Sequence, residues 1–64
     1  MKFRMIVNGD INLDMFLHSI DDWKIIKEIE EAPHEGTKVK IAFNYFKKQL
    51  KGNYGGLRPV GFVK

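Results

Sequence analysis

No cysteine occurs anywhere in the 64 residues. That absence excludes a disulfide staple and a thiolate zinc site, and it fits a reducing compartment. Hydroxyl nucleophiles are almost as scarce, with Ser19 the only serine and Thr37 the only threonine. Ser19 sits where a helix cap is wanted, and neither His18 nor His34 lies in a sequence context that supplies a nucleophile with its base. No apolar run approaches the roughly 18 residues that a membrane span needs. The opening MKFRMIVNGD turns acidic too soon for a secretory signal, so the expectation is a cytoplasmic protein that does not enter a membrane. No phosphate-cradling Gly-x-x-x-x-Gly-Lys occurs, and Gly52 to Gly61 do not match the dinucleotide fingerprint, so no cofactor is expected.

The most informative absence is of one charge. Residues 1–36 carry four cations and eight carboxylates, a balance of −4, whereas residues 37–64 carry seven cations and no carboxylate. Such an asymmetry points to nucleic acid or an acidic partner, or to halves that neutralise each other in the fold.

What is present suits one domain, 1–64. So short a chain buries only about 60% of its unfolded surface. Its 44% apolar residues supply one core, without enough left to wall a deep cleft. A binding protein is therefore expected in preference to an enzyme, and no catalytic residue is assigned.

Phe3 to Val7 is β-favouring, Asn8-Gly9 is a strong hairpin signal, and Ile11, Leu13 and Met15 alternate with Asn12 and Asp14. Strands are predicted at about 2–7 and 11–16. A rival helical stripe (Leu13, Phe16, Leu17, Ile20) is less favoured. Ser19 to Asp22 has capping-box spacing, and the stripe Trp23, Ile25, Ile26 and Ile29 predicts a helix over 21–32 with Trp23 as its core anchor. Pro33 stops that helix.

Val39, Ile41, Phe43 and Tyr45 alternate with polar or small residues and predict a strand at 37–45 with a lysine face, followed by a helical turn at 46–51. The same letters also fit a helix, through Val39, Ala42, Phe43, Phe46 and Leu50. A glycine-containing turn and a last strand from Arg58 to Val63 follow, with Pro59 placing that strand at an edge.

The expected fold is α+β: β-β-α-β-β, a twisted antiparallel sheet with one helix on one face. That helix would bury Trp23, Ile26 and Ile29 against Phe3, Met5, Ile41 and Phe43. The alternative is a small helical domain with terminal strands, winged-helix-like in outline only.

KKQLKGNYGGLR, from Lys47 to Arg58, joins four cations to one aromatic and three glycines. Cations neutralise phosphates, glycines admit a close backbone, and an aromatic ring stacks on an unpaired base. The candidate nucleic-acid contacts are Lys38, Lys40, Lys47, Lys48, Lys51, Asn53, Tyr54 and Arg58, for DNA or RNA. The alternative is a small regulator or inhibitor of a larger enzyme, docking through the acidic helix and its flank (Glu28, Glu31, Glu35) or through an edge strand, which also offers a route to a homodimer. Asp14, His18 and Asp22, spaced i, i+4, i+8, would face a metal only on an unbroken helix. A solvated polar face is expected there, and no metal site is assigned.

Overall fold

The computed structural model describes residues 1–50 and 54–63. In chain order the elements are β1 (Lys2–Val7), β2 (Ile11–Phe16), α1 (Trp23–Glu31), α2 (Glu35–Gln49) and β3 (Arg58–Val63). The three strands form one antiparallel sheet in the order β2-β1-β3. The fold is α+β, but the order is β-β-α-α-β, with both helices between the second and third strands.

The hairpin follows from Asn8 and Gly9, whose φ values of 52° and 93° lie in the left-handed region that these residues tolerate best. The register pairs Phe3 with Met15 and Met5 with Leu13 on one face, and Arg4 with Asp14 on the other. The alternation of β1 therefore sends Phe3, Met5 and Val7 inward, all buried. On the outer face the Arg4 guanidinium holds both Asp14 oxygens at 2.7 and 3.1 Å.

β3 closes the other side of β1. Gly61 pairs with Arg4 and Pro59 with Met5, which leaves Val60 as the extra residue of a bulge. β3 is an edge strand, so Pro59 costs no ladder bond on its free side. The segment leading into β3 crosses the hairpin turn. Asn8 N–H donates to the Gly55 carbonyl at 2.7 Å, and a Cβ on Gly56 would stand 3.3 Å from Gly9 N.

The predicted strand at 37–45 is instead the body of α2. Two adjacent helical stripes explain the misleading alternation. Val39, Phe43, Ala42 and Phe46 pack with the core, and Ile41 and Tyr45, four apart, face the groove beside α1. Interleaved, the pairs 39/43 and 41/45 mimic a period of two. The core joins Phe3 and Met5 to Leu17, Ile29, Ala42 and Phe46, with the Phe3 and Phe46 rings stacked at 5.9 Å.

Trp23 is not the core anchor. It is 56% exposed, because α1 begins at this residue and Trp23 lies roughly 120° around the helix from Ile29. Nor does Ser19 cap the helix. Asp22 closes the preceding turn, accepting the His18 N–H at 2.9 Å and donating its own N–H to the His18 carbonyl at 2.7 Å. The helix consequently starts two residues later than predicted.

Candidate functional site

α2 buries one arc and exposes another. Its buried arc runs through Ala42 and Phe46, and its exposed residues include Lys40, Asn44, Lys47 and Lys48. At 100° per residue these four fall within an arc of roughly 100°. Lys47 Nζ stands 5.3 Å from the Phe43 ring centroid, so its stem covers apolar surface while its charge stays in water. Lys47 and Lys48 sit in the last turn, where cations complement the helix dipole, and Glu35 sits in the first turn, where an acid does.

The ion pairs among the described residues join Lys2 and Arg4 to Asp14, all within the acidic half. None of them links an α2 lysine to a carboxylate. Lys40, Lys47 and Lys48 thus present charge that the acidic half does not neutralise at contact distance.

The other predicted contacts scatter. Lys38 turns away from the stripe, and its ammonium donates to the carbonyls of Ile29 at 2.7 Å and Glu30 at 3.3 Å. Both carbonyls lie in the last turn of α1, where Ile29 also accepts the Ala32 N–H at 3.2 Å and the helix has few N–H groups left to offer. A strand would have set Lys38 and Lys40 on one face, but the helix sets them about 160° apart. Arg58 donates to the Gly9 carbonyl at 2.9 Å, and Tyr54 is exposed beside the segment that crosses the hairpin turn. Lys51 and Asn53 lie outside the described residues. Of the alternative acidic surface, Glu28 faces the groove between the helices, whereas Glu31 ends α1 and Glu35 begins α2.

Asp14, His18 and Asp22 share no helix face, because Asp14 lies in β2 and is engaged by Arg4 while His18 lies in the turn.

Sequence reasoning missed the groove between α1 and α2. One cavity of about 450 Å³ is lined by Asp21, Asp22, Trp23, Lys24, Ile25, Glu28 and Tyr45. A second, of about 270 Å³, shares Ile25, Glu28 and Tyr45 and reaches Ile41, Asn44 and Lys48. The Tyr45 hydroxyl donates to Asp22 Oδ1. That bond, with the His18 N–H on the other oxygen, holds the Asp22 carboxyl below its ordinary range. The signal was the helical reading of 37–50, which sets Ile41 and Tyr45 on one side.

No protein-family model, curated protein or solved structure matches this chain.

Proposed function

We propose that this protein binds nucleic acid through the outer face of α2, with Lys40, Lys47 and Lys48 on phosphates and Asn44 between them as a hydrogen-bonding group. The observation supporting this reading is the grouping of three lysines on one helix face with no carboxylate in ion-pair contact among the described residues. Phosphate contacts of this kind position a protein without reading sequence. Tyr54 and Arg58, at the hairpin end, belong to a secondary contact in this reading.

The test is fluorescence anisotropy on short duplex and single-stranded oligonucleotides over a range of salt. Three phosphate-bound lysines predict a slope of log K against log salt of about −3 on duplex DNA, and each Lys→Ala change at positions 40, 47 or 48 should shallow it by about 1. Lys38→Ala should leave the slope unchanged. No binding to any oligonucleotide at low salt would sink the reading.

A further inference from the structure

We infer that the groove between α1 and α2 is a second binding site, which takes an arginine-bearing peptide segment of a partner protein. Three features favour a cation at its wider end. Asp21, Asp22 and Glu28 line that end against the single cation Lys24. Two aromatic side chains, Trp23 and Tyr45, line it as well. Lys24 already stands 5.6 Å from the Trp23 ring centroid, within the reach of a cation–π contact, so the ring face accepts a positive group.

Asp22 is fixed, with one oxygen taken by Tyr45 and the other by His18. Asp21 and Glu28 form no ion pair among the described residues. Both line the same cavity as Trp23 and Tyr45, and a guanidinium is the cation that stacks on an aromatic face and bonds a carboxylate at the same time.

The remainder of the groove argues for a peptide instead of a free cation. Beyond Glu28 it continues past Ile25 and Ile41 to Asn44 and Lys48. That sequence of surfaces suits an apolar residue and then a carbonyl or carboxylate.

Trp23 is the sole tryptophan, so its emission reports on the site directly. The intact protein would be titrated with acetyl-Leu-Arg-Ile-amide and, separately, with acetyl-Leu-Glu-Ile-amide. The arginine peptide should give a saturable change at millimolar concentration and the glutamate peptide none. Asp21→Asn with Glu28→Gln should weaken binding about fivefold. Lys24→Ala, which frees the ring and removes the competing charge, should strengthen it about two- to fivefold. Lys40→Ala with Lys47→Ala should leave peptide binding intact, which separates this site from the part of the lysine stripe that it does not share, Asn44 and Lys48 lining both. Equal saturation by both peptides, no saturation by either, or a dissociation constant unmoved by the acidic-residue changes would overturn the inference.

Discussion

Three residues do more for the fold than their positions in the chain suggest. Lys38 is the first. α1 has no basic residue in its last turn, and Lys38 supplies the missing positive charge from the next helix. Lys38→Ala should therefore cost about 1–2 kcal/mol, while Lys40→Ala, on the solvated face, should stay within about 0.5 kcal/mol. Urea denaturation distinguishes the two. Asp22 is the second. Tyr45, and then the His18 N–H, depress its folded pKa. A depressed carboxylate contributes stability above its unfolded value, near pH 4, and loses it as pH falls through the lower folded value. The protein should weaken below about pH 4, and Asp22→Asn should flatten that limb of the pH profile. Tyr45→Phe should return the Asp22 carboxyl toward its ordinary range, which a carbon-13 NMR titration reads. Gly9 is the third. Its side has room for a methyl group, but its φ of 93° is strained for any L side chain. Gly9→Ala should destabilise by about 1 kcal/mol or more.

The helices show most clearly what each face contributes. Phe46 is 1% exposed, stacked on Phe3 and in edge contact with Tyr45. Phe46→Ala should cost about 3–5 kcal/mol. For 64 residues the whole stability is only about 3–10 kcal/mol, so the variant should lose about a third or more of it, read as a lower urea midpoint by circular dichroism. Trp23→Ala, despite removing the largest side chain, should cost about 1–2 kcal/mol, less than Phe46→Ala, because Trp23 is 56% exposed. The hairpin was legible because Asn8-Gly9 and the alternation of two strands agreed. α1 was legible from Ile25, Ile26 and Ile29, although its start was not, since Asp22 serves the turn before it. α2 was legible as a helix only as the rival to a strand, because Val39, Ile41, Phe43 and Tyr45 sit on two half-buried stripes at once. A helix touched on two sides loses the simple period that identifies one touched on a single side. The same fact hid the groove, and it separated Lys38 from the other candidate contacts.

At the scale of the molecule, the charge asymmetry of the sequence is not cancelled by cross-pairing at contact distance among the described residues. Lys2 and Arg4 spend their charge on Asp14 in their own half. Arg4 with Asp14 is a part-exposed pair, so its removal should matter little to stability, and binding of polyanions should depend on the α2 lysines far more than on these two. The sheet adds a different consequence. β1, the first strand in chain order, lies at the centre, and its second neighbour is β3, the last element. A ribosome therefore delivers the middle of the sheet first and its closing edge last. Until residues 58–63 emerge, β1 has one side open to any passing strand, and the hairpin turn lacks the hydrogen bonds from Gly55 and Arg58 that tie it down. Nascent chains halted before Arg58 should remain protease-sensitive, and chains released beyond Val63 should not. Among the described residues, the strand that closes the sheet is thus the last to be made.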